Sequence, residues 1–78
     1  MDIEIITPDA KLFEGEASSV KLPGSMGGFQ ILNHHAPIVS SLSSGKIYIT
    51  RKDGENEIFK INGGVIEMKN NKIVILAD

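Results

Sequence analysis

Cysteine is absent from the 78-residue chain, so neither a disulfide framework nor a thiolate metal site can hold the fold together. Tryptophan is absent too, and one tyrosine with three phenylalanines is too little aromatic surface to build a stacking platform for nucleotide bases. An excess of positive charge is also lacking. The formal net charge of −2 and a pI near 5.6 argue against a nucleic-acid partner, which needs a basic face to displace counterions. The bases, Lys11, Lys21, Lys46, Arg51, Lys52, Lys60, Lys69 and Lys72, are scattered among acids and read as solvated strand faces and turns. No apolar run approaches the roughly 18 to 20 residues that span a bilayer, and Met1-Asp2-Ile3-Glu4 lacks the positive flank of a signal peptide. The expectation is a soluble chain on the cytosolic side.

What is present is period-two alternation broken by turn residues. Ile3 and Ile5, Val20 and Leu22, Ile47 and Ile49, and Phe59 and Ile61 each stand two apart, as the inward positions of half-buried strands do. Ile31, Ile66, Ile73 and Ile75 complete the predicted core. Pro8-Asp9, Pro23, Ser43-Ser44-Gly45 and Asn62-Gly63-Gly64 punctuate the segments, and Gly15 predicts a bend that divides Leu12–Glu16 from Ala17–Leu22. Asp53-Gly54 predicts a two-residue type I′ hairpin, and Asn70-Asn71 predicts a second hairpin. Ile73-Val74-Ile75-Leu76 has no polar partner in its alternation and predicts a strand covered on both faces. Nothing reads as a helix. Some eight to ten short strands spaced by about eight to twelve residues imply an all-β domain over residues 1–78, a flattened β-sandwich or barrel.

Residues 24–37, Gly-Ser-Met-Gly-Gly-Phe-Gln-Ile-Leu-Asn-His-His-Ala-Pro, are the candidate contact surface. Gly24, Gly27 and Gly28 permit positive φ, Met26 stands at a loop tip, and Pro37 keeps Ala36 out of the helical region. Met26 and Phe29 are candidate apolar anchors, with core packing the alternative for Phe29. Catalysis finds no support. His34 and His35 are adjacent and point apart on an extended backbone, so they do not converge on a metal. The glycine loop leads into a strand and not into a helix N-terminus, so it is no phosphate loop. Ser40, Ser41, Ser43 and Ser44 lack a nucleophile-elbow pattern and an orienting acid. Neither cofactor nor metal is expected, and the chain reads as a non-enzyme.

The ordered set Ile6-Thr7-Pro8, Leu12-Phe13-Glu14-Gly15, Gly24-Ser25-Met26-Gly27, His35-Ala36-Pro37, Gly45-Lys46-Ile47, Phe59 to Gly64 and Val74-Ile75-Leu76-Ala77-Asp78 resembles the N-terminal β-sandwich domain of the epsilon subunit of F-type ATP synthases, called delta in mitochondria. The resemblance spans the whole chain. It implies a sandwich of about ten strands on the central stalk. It also implies contacts with the gamma subunit and the c-ring, rotation with the rotor, and a part in coupling proton translocation to ATP synthesis at the cytoplasmic side of the plasma membrane. Met26, Gly27, Gly28 and Phe29 then fall in the loop that meets the ring, and His35, Ala36 and Pro37 near the gamma and ring contact. Some relatives carry an acid where this chain has Gly28 and a glycine where it has His34. Family members commonly continue past the Leu-Ala-Asp match into a helical hairpin that restrains hydrolysis and in some cases binds ATP. A sequence ending at Asp78 is expected to be a natural short form, or else a truncated one, and in both cases to lack that brake and its ATP site. The alternative function is a free-standing β-sandwich binding a small ligand or an unrelated protein through residues 24–37.

Overall fold

The computed structural model describes all of residues 1–78 and contains eight strands and no helix. They are β1 (Asp2–Ile6), β2 (Lys11–Leu22), β3 (Phe29–Leu32), β4 (Ile38–Leu42), β5 (Gly45–Arg51), β6 (Asn56–Ile61), β7 (Gly64–Lys69) and β8 (Lys72–Ala77). The hydrogen-bonded order is β4-β7-β8-β1-β2-β5-β6, with β3 added to β2. Every pairing is antiparallel except that of β1 with β8, where Ile3 lies beside Ile73 and Ile5 beside Ile75. The all-β expectation holds.

The count of eight is the low end of the eight to ten expected, and Leu12–Glu16 and Ala17–Leu22 are one strand, since β2 runs twelve residues without a break. Its first half pairs with β1, and its second half turns into the other layer to pair with β5 and β3. One strand thus belongs to both sheets and makes the corner of the sandwich. The irregularity expected at Gly15 lies instead between Ala17 and Ser19, in the pairing with β5. Gly15 serves the core instead, since a Cβ there would stand 3.1 Å from the Phe13 ring and its bare backbone seats that ring. Phe13 is buried and leans on Phe59 with 5.6 Å between centroids.

The core gathers residues from both sheets. Eleven of the side chains assigned inward by alternation are buried: Ile3, Ile5, Val20, Leu22, Ile31, Ile47, Ile49, Ile61, Ile66, Ile73 and Ile75. Phe59 is only partly buried, since β6 is an edge strand with no neighbour on one side. Met1, Phe13, Ala17, Leu42, Met68 and Ala77 join the core. No polar or charged residue is buried, and no buried side-chain nitrogen or oxygen lacks a partner. The expectation that β8 is covered on both faces fails, because Leu76 is 55% exposed and only Ile73, Ile75 and Ala77 face inward.

Of the two predicted hairpins, Asn70 and Asn71 both take left-handed φ, 53° and 59°, as a type I′ turn requires. The loop at Asp53-Gly54 does not. Arg51 and Glu55 close it by a backbone bond of 2.7 Å, the Gly54 N–H donates to Arg51, and only Gly54 has positive φ. That is a three-residue loop, a type I turn followed by a left-handed glycine.

Candidate contact loops

Met26 stands wholly exposed on the loop between β2 and β3. The loop is held from both sides. Within it, the Gly27 N–H donates to the Gly24 carbonyl at 3.0 Å. Across the sandwich, Ser25 N–H donates to Ser41, Ser43 N–H donates to Pro23, and Gly24 bridges to Leu42 at the end of β4. The hydroxyl of Ser41 donates to that of Ser25 at 2.9 Å. Only Gly27 of the three glycines needs positive φ, at 124°. Gly24 is required for space, since a Cβ there would come 2.5 Å from the Gly27 carbonyl oxygen and 2.7 Å from the Phe29 ring. Gly28 is neither left-handed nor crowded. Phe29 packs against the core from partial burial, so Met26 is the one large apolar side chain that projects from the loop.

The second half of the candidate stretch lies at the other end of β3 and at the opposite end of β4. His34 takes φ of 63° in a turn closed from the His35 N–H to the Leu32 carbonyl. Its own N–H donates to Asn71 Oδ1 at 2.8 Å, and Met1's ammonium donates to Asn33 Oδ1 at 2.6 Å. The loop is thereby pinned to the β7–β8 turn and to the N-terminus. His35, Ala36 and Pro37 are exposed, and the His35 Nδ1 is 2.6 Å from the Ala36 carbonyl oxygen. Residues 24–37 therefore form two loops on opposite ends of the same pair of strands, not one surface. Neither carries a group of three or more His, Asp or Glu side chains placed to hold a metal, and no such group occurs elsewhere.

Sequence reasoning missed the outer face of the sheet β4-β7-β8-β1. There Val65 is paired with Leu76 and Leu76 with Ile6, an apolar row crossing three strands, with exposed Val39 on β4 nearby. The signal was in the sequence: an unbroken apolar run needs either a second cover or an external partner, and only the first was considered. An ion pair joins β1 of this sheet to β2 at Glu4. Its carboxylate is 2.8 Å from the Lys11 ammonium, a hydrogen bond that lowers its pKa from the ordinary 4.5. Lys11 is raised in turn by its hydrogen bonds to Glu4 and Glu14.

The fold has close counterparts. The sequence profile described as ATP synthase, Delta/Epsilon chain, beta-sandwich domain matches residues 1–78. The ATP synthase epsilon chain of Chlorobium limicola is 40% identical over 76 residues, covering 97% of this chain and 86% of that protein. The epsilon chain of Dichelobacter nodosus is 37% identical over 76 residues, but the chain spans only 53% of its length. Among solved structures, a chain of the Euglena gracilis mitochondrial ATP synthase OSCP/F1/c-ring assembly superposes with a TM-score of 0.89 over 96% of this chain and 48% of that one, at 17% identity. A chain of the Tetrahymena thermophila mitochondrial ATP synthase central stalk and c-ring gives 0.79 over 99% and 62%, at 19% identity. Matched from its first residue to its last, the chain belongs to the ATP synthase delta/epsilon chain family, of which it is the β-sandwich domain.

Proposed function

We propose that the chain is a non-catalytic part of the rotor of a proton-translocating ATP synthase, joining gamma to the c-ring in a peripheral, membrane-associated complex on the cytoplasmic side. In this role it helps couple proton translocation to ATP synthesis. The observation that carries the reading is Met26, a large apolar side chain held in solvent by a loop whose backbone is bonded to the rest of the sandwich. A side chain so placed stabilises nothing within the domain and suits a partner surface. Met26, Gly27 and Gly28, beside Phe29, meet the polar loops of the ring. The outer row Val65, Leu76 and Ile6, continued by Val39 toward Pro37, Ala36 and His35, packs on gamma. Two loops at opposite ends of β3 and β4 fit a part that touches two neighbours at once. The assemblies containing the Euglena and Tetrahymena chains, one with F1 and a c-ring and one described as central stalk and c-ring, support the same placement.

Purified gamma is the first test. Capture by this chain, with native mass spectrometry giving a one-to-one complex, is the expected result. Absence of a complex at micromolar concentrations, from a chain with the circular dichroism of a folded β-protein, would move the function to a free-standing binding module. Within a positive result, Met26→Glu is expected to leave gamma capture intact and to weaken assembly onto the ring.

A further inference from the structure

We infer that the outer face of the sheet β3-β2-β5-β6 is a binding site for a phosphate-bearing anion, held by Lys21, Lys46 and Lys60. Alternation and register put these three lysines on neighbouring strands of one face. Lys46 is directly opposite Lys60, and Lys21 lies one row away, opposite Tyr48. Directly opposed residues are about 5 Å apart and diagonal ones about 7 to 8 Å. Lys46 is opposed to Lys60 and diagonal to Lys21, while Lys21 and Lys60 lie two strands apart. The long side chains of Lys21 and Lys60 therefore reach toward Lys46 from either side to close on one tetrahedral oxyanion. None of the three is in an ion pair; the four pairs of the molecule are made by Lys11, Arg51 and Lys52. The nearest acid on these strands, Glu57, is taken up by Arg51 at 2.8 Å. The other outward residues of the face are Leu32, Gln30, Ser19, Tyr48, Thr50, Asn56 and Ile58, in a chain whose acids outnumber its bases ten to eight.

Two further observations distinguish this cluster from ordinary solvated lysines. Lys46 facing Lys60 is an unrelieved like-charge pair, an arrangement that destabilises a sheet unless an anion lies between. Lys69 and Lys72 are also opposed, but there Asp2 sits beside Lys72 in the same row. The second observation is a hollow of about 520 Å³ opening at Lys21 and Lys46, with Gln30 as a neutral donor and Leu22, Pro23, Phe29 and Tyr48 as apolar wall. Its size is that of small-ligand sites, roughly 300 to 1,000 Å³. The lysines take the phosphate, and the wall takes the carbon part of a phosphate ester, whether a soluble metabolite or a lipid headgroup.

The test uses the ¹⁵N-labelled full chain. Sodium pyrophosphate is titrated while amide shifts are followed, and co-sedimentation is measured with phosphatidylglycerol and with phosphatidylcholine vesicles. Saturable shifts at Lys21, Gln30, Lys46, Tyr48 and Lys60 support a soluble phosphate ligand, and selective sedimentation with phosphatidylglycerol supports a headgroup. In either case the double variant Lys46→Gln, Lys60→Gln is expected to bind at least tenfold more weakly. That variant relieves a repulsion, so it folds at least as well as the parent. Neither shifts nor selective sedimentation, or equal binding by the double variant, overturns the site. Gamma capture by the same variant is expected to be unchanged, so this inference and the rotor reading fail separately.

Discussion

At the scale of single residues, glycine positions divide sharply into those that can change and those that cannot. Gly64 has a φ of 149°, and a Cβ on it would run into the Leu76 carbonyl oxygen and stand 3.0 Å from the Ala77 Cα. Gly64→Ala is therefore expected to lower stability by more than about 1 kcal/mol in urea unfolding, because it adds both strain and a backbone clash. Gly28 meets only the Leu22 carbonyl oxygen, at an ordinary 3.5 Å, and is exposed. Gly28→Glu is expected to leave the unfolding midpoint nearly unchanged and to alter only ring assembly. Both are glycines next to strand ends, and the sequence alone did not separate them. Charge is legible at this scale as well. Glu4 has its pKa lowered by the hydrogen bond from Lys11, so whatever stability it contributes is present above pH 4.5 and lost as pH falls through the lowered folded value. Lys11→Met should lower the thermal midpoint slightly at pH 7 and not at pH 2. Since Lys11 is exposed and Glu4 half-buried, added salt should shrink the difference at pH 7.

Among elements, the turns carry the most information about how much of the fold could be read beforehand. Asn70-Asn71 was legible because asparagine tolerates left-handed φ in both central positions. Asp53-Gly54 was not, because the choice between a two-residue and a three-residue loop is made by register, Thr50 against Asn56, which local residue types do not encode. The inward isoleucines were legible from alternation. Phe13 was not, because its burial depends on the missing side chain of Gly15, two residues away on the same face. The candidate loops were found, but their separation to opposite ends of β3 is a matter of topology. Asn71 shows an element held by a side chain from another. Its Oδ1 accepts from the His34 N–H, so Asn71→Gly keeps the turn yet is expected to cost about 0.5 to 1.5 kcal/mol and to raise amide exchange at His34 selectively. Unchanged exchange there would dissociate the His34 loop from the β7–β8 turn.

For the molecule as a whole, the two sheets share a corner strand, and the first and last strands share a sheet interior. β1 lies between β8 and β2, with its hydrogen bonds to β8 running in parallel. Ile3 and Ile5 are as buried as any residue in the domain. Deletion of residues 1–6 is expected to abolish the folded state, measured as loss of amide shift dispersion, and not to trim an end. The outer surfaces, by contrast, are dissimilar. One sheet carries the apolar row Val65, Leu76 and Ile6, and the other carries exposed Tyr48 opposite Ile58 beside lysines outside any ion pair. Both outer faces have apolar surface, and the free lysines distinguish the second.

The parallel pairing of the first strand with the last also sets a timetable. A ribosome releases Ile3 and Ile5 early in the synthesis of this domain, and their neighbours Ile73 and Ile75 only after nearly every other strand has emerged. Until then β1 is a nascent apolar hairpin arm with one open edge, the kind of segment that holdase chaperones shelter. Completion of the sandwich is thus a late, single event in the life of each new chain, and a stall in translation before β8 leaves the whole domain without its central seam.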